Sequence, residues 1–190
     1  YALIYGPRTL PEPPDTLAAA QAQCIRVQVQ GGIYAIAHPC FPTAPWQWGL
    51  SYVNAVQVWN RSWTGVPPLS LAKLDDRWKE RREGRLIHSI AAAVAPADLV
   101  SVSANDQAAR FWDYELNRGL MAAGIAGSST ASPKVPIGRP ITYIHAREKS
   151  LPALLEGLRL GRTYLSSGPD GPVVSLSADV LNNGKVDVGI

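Results

Sequence analysis

The residue best placed to do chemistry is a histidine that follows a buried strand. The run Ile33 to Ala37 is apolar throughout and leads directly into His38-Pro39-Cys40. In βα architectures the functional groups lie at the carboxyl ends of strands and on the loops after them. Imidazole is the commonest metal ligand, so His38 is a candidate ligand. A structural histidine bonded to a neighbouring carbonyl is the alternative, because one imidazole does not make a site.

Two tryptophans and an asparagine extend this candidate site. The loop 41–50, called the Trp loop below, carries Trp46 and Trp48. They either wall a substrate pocket or form a lid that packs on the mouth of the fold. Asn60 ends the next apolar run, so parallel pairing would bring it to the same edge as His38. His88 and His145 are interpreted as structural histidines.

Composition excludes several other classes of function. The chain has 190 residues, of which 46% are hydrophobic and 17% charged, which is typical of one globular domain. The net charge is +3, and the main basic run at 77–85 is interrupted by Glu80 and Glu83, which favours a solvated helix face over a nucleic-acid patch. The sequence contains no run of 18 apolar residues, so no membrane span is predicted. Cys24 and Cys40 form no C-x-x-C pair, so no thiolate zinc site is expected.

Near-continuous apolar runs predict the strands that position these residues. Such runs favour a parallel sheet covered on both faces, and helical segments between them favour a βα crossover architecture. A capping box at Ser103 and a second helix start at Ser150 support this interpretation. The stretch 17–29 fits helix and strand periodicity, and Gly31-Gly32 favours the helix. The predicted strands are Ala2–Tyr5, Ile33–Ala37, Ala55–Trp59, Met121–Ala126 and Ile141–His145.

The tail of the chain has a different character. Residues 166–172 are a turn-rich break, and beyond them the strand-like alternation of 173–178 and the sequence Asn182-Asn183-Gly184-Lys185 predict a β-hairpin. We therefore expect a main domain at 1–168 and the start of an appended β module at 169–190. Residues 64–102 are expected to be a partly helical insert that serves as a lid, a dimer contact or decoration.

Several segments, taken in order, resemble the PHP (polymerase and histidinol phosphatase) superfamily of metal-dependent hydrolases. Gly31 to Pro39 is similar to its G-G-x-x-x-x-x-H-P strand and loop, and residues 55–60 are similar to a strand that often reads E-V-W-N. Residues 112–129 resemble the helix and strand before a G-S-D-x-H ligand motif. The closing elements at 138–143 and 161–169 are most similar to the carbaryl-hydrolase-like branch.

This resemblance implies a distorted (β/α)7 barrel, of which the chain would hold a C-terminal part that is too short to close. It also implies hydrolysis of phosphoesters or carbamate-type esters by zinc, manganese or iron ions, which activate water and stabilise the leaving group. The partner would be a small-molecule ester or phosphoester; neither nucleic acid nor a membrane is expected, and a homo-oligomer is left open. His38 becomes the metal ligand, and the predicted substrate pocket consists of Trp46, Trp48, Asn60, Ser129 and Arg139.

The departures from the family pattern weaken the predicted metal site. The final D-x-H motif reads Ser129-Thr130-Ala131 here, and serine and alanine cannot replace a carboxylate and an imidazole as ligands. The early H-x-H, D-H and glutamate ligands are expected before Tyr1. We therefore expect a degenerate site with weak or absent metal and little activity. An active hydrolase with further ligands upstream, and a non-catalytic binding or interaction protein, are the alternatives; cytoplasmic and exported locations both stay open.

Overall fold

A four-stranded sheet lies at the centre of the structure, a computed structural model that describes residues 1–61, 65–66, 69–74, 86–87, 101–130, 132–175, 177–185 and 188–189. The strands are β1 (Ala2–Tyr5), β2 (Ile33–Ile36), β3 (Leu50–Ser51), β4 (Ala55–Asn60), β5 (Gly65–Val66), β6 (Leu86–Ile87), β7 (Val102–Ser103), β8 (Ala123–Gly127), β9 (Ile141–Ile144), β10 (Thr163–Ser166), β11 (Ser177–Ala178) and β12 (Val188–Gly189). The helices whose full bounds lie within the described residues are α1 (Leu17–Val29), α2 (Ala104–Asn117) and α3 (Leu151–Arg159).

The central sheet has the strand order β1-β2-β4-β8. β2 pairs with β4 in parallel, and β4 pairs with β8 in parallel. The prediction of a parallel sheet is therefore confirmed for these three strands. α2 lies in the connection from β4 to β8 and packs on β4, as a crossover helix does in a βα unit. The carboxyl ends of β2, β4 and β8 consequently lie at one edge of the sheet.

Two predicted strands do not follow this pattern. The prediction that residues 141–145 join the parallel sheet is wrong, since β9 pairs antiparallel with β10 in a separate sheet. β9 is half-buried along its length, whereas β2 is fully buried. Thr142 and Tyr143 give β9 the mixed character of a strand with one covered face. β1 is an edge strand that runs antiparallel to β2.

The ambiguous stretch at 17–29 forms helix α1, as predicted. The side chain of Thr16 caps it by accepting a hydrogen bond from the backbone N–H of Ala19. Cys24 and Val27 are buried, whereas Ile25 and Val29 are exposed, so the strand-like alternation of Ile25, Val27 and Val29 does not mark a buried face. The predicted starts of α2 and α3 are confirmed, with Ser103 and Ser150 as their N-cap residues.

Helices cover both faces of the central sheet. Tyr34 and Ile36 of β2 belong to one core cluster with buried residues of α1 and α2. Ile33 and Ala35, which alternate with them, belong to a second cluster with Leu155 and Leu158 of α3. In a βα barrel the helices all lie outside and strand side chains fill the interior. The described residues form a mixed α/β fold without a closed barrel, as the count of predicted strands implies.

The insert and the tail are only partly described. Residues 86–87 of the predicted insert helices form β6, which pairs antiparallel with β3; the remainder of 75–100 lies outside the described residues. In the tail, β11 pairs antiparallel with β12, and residues 173–175 form no strand. Within the described parts of the chain, no helix is long and apolar enough to cross a membrane.

Candidate functional site

The carboxyl edge of the parallel strands brings three of the predicted site residues to one region. Asn60 is the last residue of β4 and pairs in register with Gly127, the last residue of β8. His38 lies two residues beyond β2, and Ser129 lies two residues beyond β8. This edge is where ligands bind in open α/β sheets. The predicted position of His38, Asn60 and Ser129 at the strand ends therefore agrees with the topology.

A hydrogen-bonded pair forms the centre of this edge. The side-chain amide of Asn60, only 1% exposed, donates from Nδ2 to Oγ of Ser129 at 2.5 Å. Asn105, near the start of α2, fixes the backbone of Asn60: its Oδ1 accepts from the Asn60 N–H at 2.9 Å and its Nδ2 donates to the Asn60 carbonyl at 3.1 Å. Because Asn60 donates to Oγ, the hydroxyl proton of Ser129 is available to donate to a ligand.

A buried glutamine links this edge to the loop that begins at His38, called the histidine loop below. Oε1 of Gln57 accepts from the backbone N–H of His38 at 3.0 Å. Its Nε2 lies against Gly127, where an added Cβ would be only 2.5 Å away. Sequence reasoning missed Gln57 and Asn105. Gln57 stands where the similar E-V-W-N strand carries glutamate, and a polar residue among valines was the signal for it.

The loops at this edge hold two non-glycine residues in the left-handed backbone region. His38 has a φ of 38° and Ser129 has a φ of 47°. Such conformations cost on the order of 1–3 kcal/mol each and persist where the surroundings determine them. Around His38 the surroundings include Gln57 and a hydrogen bond from the Phe41 N–H to the His38 carbonyl at 3.0 Å. Strained residues cluster at functional sites, which supports the choice of this edge.

The imidazole of His38 lies among aromatic rings. Its centroid is 5.7 Å from the ring of Tyr1 and 6.0 Å from that of Phe41. Burial lowers the pKa of His38 below its usual value of 6.5. The ring is therefore mainly neutral at pH 7, with a lone pair that can accept a proton or bind a cation.

The remaining predicted pocket residues lie elsewhere. The buried Trp46 donates its backbone N–H to the Pro39 carbonyl at 2.8 Å, so the Trp loop folds back onto the histidine loop. The side chains of Trp46 and Trp48 line another cavity, described by its residues Tyr34, Gln23 and Pro13. Arg139 forms an ion pair with the exposed Asp170 and contacts Gly168.

The predicted structural histidines have separate outcomes. His145 is exposed and donates its backbone N–H to the Arg162 carbonyl. His88 lies outside the described residues, as does Ala131 of the predicted cleft.

An apolar cavity reaches the same strand edge. It has a volume of about 400 Å³ and lies between the edge of β8, β9 and the apolar face of α3. Gly127 and Ser128 form part of its wall, and aliphatic residues of α3, including Leu154 and Leu158, form another part. Its size lies within the range of about 300–1,000 Å³ that is typical of small-molecule sites.

The donors at this edge do not fit a cluster of two or three metals. They are the imidazole of His38, serine and threonine hydroxyls and neutral amides. Zinc sites commonly use three or four His, Cys or carboxylate ligands, and hard cations prefer carboxylates. Across the described residues, no group of three or more His, Cys, Asp or Glu side chains could hold a metal ion.

Comparison of the chain with family models, with curated proteins and with solved structures gave no significant match.

Proposed function

We propose that the protein is a relative of the PHP-type metal-dependent hydrolases with a degenerate metal site, which binds a small-molecule ester or phosphoester at the strand ends and hydrolyses it weakly or not at all. The observation that carries this proposal is the Asn60–Ser129 pair. Ser129 stands at the first position of the expected D-x-H motif and offers a neutral hydroxyl, bonded to Asn60, where the family pattern has a carboxylate.

The chemistry of the edge fits an oxygen-rich ligand with an apolar part. The hydroxyl of Ser129 can donate to a carbonyl or phosphoryl oxygen, because Asn60 donates to its oxygen and leaves its proton available. The neutral imidazole of His38 can accept a proton from a ligand hydroxyl or water. The adjacent apolar cavity beside Ser128 can take the hydrocarbon part of an ester. These groups bind and orient a ligand, but they lack the charge that a metal-activated water requires.

A hydrolase with further metal ligands elsewhere in the protein is the second candidate. The lowered pKa of His38 favours it, because only the neutral imidazole binds a metal. A non-catalytic binding or interaction protein on the same fold is the third candidate, and it predicts no ester ligand at the strand ends.

Metal analysis and hydrolysis assays separate these candidates. The purified protein is dialysed, its zinc, manganese and iron are measured, and hydrolysis of bis(p-nitrophenyl) phosphate is followed with and without added metal. We expect substoichiometric metal and hydrolysis near background. Stoichiometric metal that survives dialysis, with hydrolysis abolished by His38→Ala, would establish the active hydrolase instead.

Ligand-detected NMR with p-nitrophenyl phosphate and p-nitrophenyl acetate tests the binding half of the proposal. We expect saturable binding that Ser129→Ala weakens by roughly tenfold, the effect of one hydrogen bond to a polar ligand. Thr130→Ala is the matched control, since Thr130 is an exposed neighbouring hydroxyl residue. Absence of saturable binding by both probes favours the interaction protein. Restored metal binding in a Ser129→Asp, Ala131→His double variant would locate the loss of the site at these two positions.

A further inference from the structure

The apolar cavity beside Ser128 runs along helix α3. Four leucines on one face of this helix contribute to its wall, spaced at i, i+3, i+4 and i+7: Leu151, Leu154, Leu155 and Leu158. Because each helical residue rises by about 1.5 Å, this stripe extends for roughly 10 Å. The cavity volume of about 400 Å³ has room for on the order of ten heavy atoms, since a group the size of water takes up roughly 30 Å³. A ligand that follows the whole stripe is therefore elongated.

The hydroxyl groups of Thr142 and Ser128 on the wall of this cavity already have hydrogen-bond partners. Oγ1 of Thr142 accepts from the Ala126 N–H at 2.8 Å and donates to the Ala126 carbonyl at 3.1 Å. Oγ of Ser128 accepts from the Gly138 N–H at 3.3 Å and lies 3.0 Å from Oγ1 of Thr130. Much of the remaining wall is aliphatic, with Ile125, Pro140, Ile141 and Ile144 facing the leucines of α3. An alkyl chain can therefore enter without separating these bonded groups.

The cavity has a buried floor and an exposed opening. Leu155, Leu158 and Ile125 are 8%, 7% and 3% exposed, and they belong to the second core cluster. Leu151, in the first turn of α3, is 60% exposed and therefore lies at the opening. Each methylene group that moves from water onto such a floor is expected to raise the affinity by about three- to fourfold.

The same cavity adjoins the strand-end site. Gly127 of its wall pairs in register with Asn60, and Ser128 of its wall directly precedes Ser129. A ligand whose polar end accepts a hydrogen bond from the Ser129 hydroxyl therefore has the cavity within reach of its apolar part.

We propose that the apolar cavity holds a linear alkyl chain of roughly eight carbons, which belongs to the ester or phosphoester bound at the strand ends. The length follows from the stripe, because an extended chain with C–C bonds of about 1.5 Å advances somewhat less than this per bond and covers 10 Å with roughly eight carbons. The polar end of this ligand rests on the proposed function, whereas the chain site is testable without it.

A series of linear alcohols tests the chain site. Binding of 1-butanol, 1-hexanol, 1-octanol and 1-decanol to the full chain is measured by ligand-detected NMR and titration calorimetry. We expect each two-carbon extension up to 1-octanol to strengthen binding by about tenfold. The step to 1-decanol should add no more than about twofold, because its last carbons stay in water. No saturable binding of 1-octanol, or equal affinities for 1-butanol and 1-octanol, would overturn the proposal.

Cyclooctanol tests the shape of the occupant. It carries the same eight carbons as 1-octanol in a compact ring, which cannot follow the leucine stripe along α3. We expect cyclooctanol to bind more weakly than 1-octanol. Equal or tighter binding of cyclooctanol would overturn the assignment of a linear chain.

A pair of tryptophan variants locates the binding on α3. Leu151→Trp places a large ring at the opening, so it should weaken 1-octanol by about tenfold or more and leave 1-butanol within about twofold. Leu160→Trp is the matched control, since Leu160 follows α3, is 49% exposed and lies outside the wall of this cavity. Equal losses in the two variants would overturn the location. The wild-type series needs no variant, so a folding defect in Leu151→Trp leaves the test intact.

Octyl phosphate tests the link between the chain and the strand ends. It should bind about tenfold more tightly than 1-octanol, and Ser129→Ala should remove this difference. Chain-length dependence without any effect of Ser129→Ala would keep the alkyl site and overturn its link to the strand ends, together with the proposed function. Binding of p-nitrophenyl phosphate that requires Ser129, without chain-length dependence among the alcohols, would overturn the alkyl site and leave the proposed function in place.

A second copy of the chain is the competing occupant of this cavity. Sedimentation of the wild type and of Leu151→Trp detects it. Self-association that Leu151→Trp abolishes, together with no binding of the alcohols, would identify the cavity as a contact between copies and overturn the proposal.

Discussion

Gly127→Ala is expected to destabilise the protein through a single contact with Gln57. An added Cβ at Gly127 would lie 2.5 Å from Nε2 of Gln57, well inside van der Waals contact. Gln57 is buried, and its Oε1 accepts the backbone N–H of His38, so the side chain cannot move without breaking that bond. Overpacking of this kind costs about 1–3 kcal/mol, and an unsatisfied buried N–H costs about 1–3 kcal/mol. We expect Gly127→Ala to lower the free energy of unfolding by roughly 2 kcal/mol.

A double-mutant cycle isolates this contact. Gln57→Ala removes the obstructing amide and leaves the His38 N–H without its acceptor, for a cost of about 1–3 kcal/mol. The added methyl group then has space, so the double variant should be more stable than the sum of the two single effects predicts, by roughly 1 kcal/mol or more. Urea denaturation gives the midpoints and slopes for all four proteins. Additivity within about 0.5 kcal/mol would refute the reasoning, because it would mean that the two residues do not touch.

Two further predictions concern the histidine and the core. The folded-state pKa of His38 lies below its ordinary value of 6.5, so the unfolded chain binds more protons near that pH and stability falls as the pH drops from 7 to 5. His38→Gln should reduce this loss of stability in urea titrations at the two pH values, whereas His145→Gln, at an exposed site, should not. A loss in His38→Gln equal to that of the wild type would contradict the assignment. Phe111→Ala should cost about 3–5 kcal/mol in urea denaturation, since Phe111 is fully buried under the sheet, whereas Val29→Ala at an exposed position should stay within about 0.5 kcal/mol. Similar costs for the two would contradict the placement of α2.

Local signals predicted much of the fold because they act within a few residues. Ser103 and Ser150 mark helix starts through N-cap bonds to backbone N–H groups three residues away. The parallel strands were predictable from their apolar runs, since a strand covered on both faces needs apolar side chains in every position. The partner and direction of β9 were not, because pairing depends on which neighbour covers its second face, and no local pattern encodes this choice.

The candidate site was predictable only where it follows a strand end. His38 and Asn60 could be placed because a chain position after a parallel strand fixes an edge of the sheet. Gln57 could not be assigned a role, since its partner is the backbone N–H of His38 in the loop after β2, 19 positions away in the sequence. Trp48 also shows this limit: the sequence gives a tryptophan on a loop, and the folded chain determines which cavity it lines.

Buried amides perform the same task at several places in this fold. Oδ1 of Asn54 accepts the Tyr34 N–H, Oε1 of Gln57 accepts the His38 N–H, and Oε1 of Gln107 accepts the Leu69 N–H. A neutral amide satisfies a buried N–H without the free energy needed to bury a charge. The amide at position 57 is therefore compatible with a strand edge that holds no cation.

Gln57→Glu tests this argument, because it introduces at this position the glutamate that the expected E-V-W-N pattern carries. Burial raises the pKa of a carboxyl group in the folded state, so its stability contribution is present at low pH and lost as the pH rises through that pKa. We expect Gln57→Glu to be less stable than wild type at pH 7 and closer to it at pH 4.5, with Gln47→Glu on the exposed part of the Trp loop as the matched control. Urea midpoints with and without manganese or zinc complete the test. Equal stability at pH 7 without metal would show that the edge tolerates a buried charge; restabilisation by metal that His38→Ala removes would show that a cation site is within one substitution of this sequence.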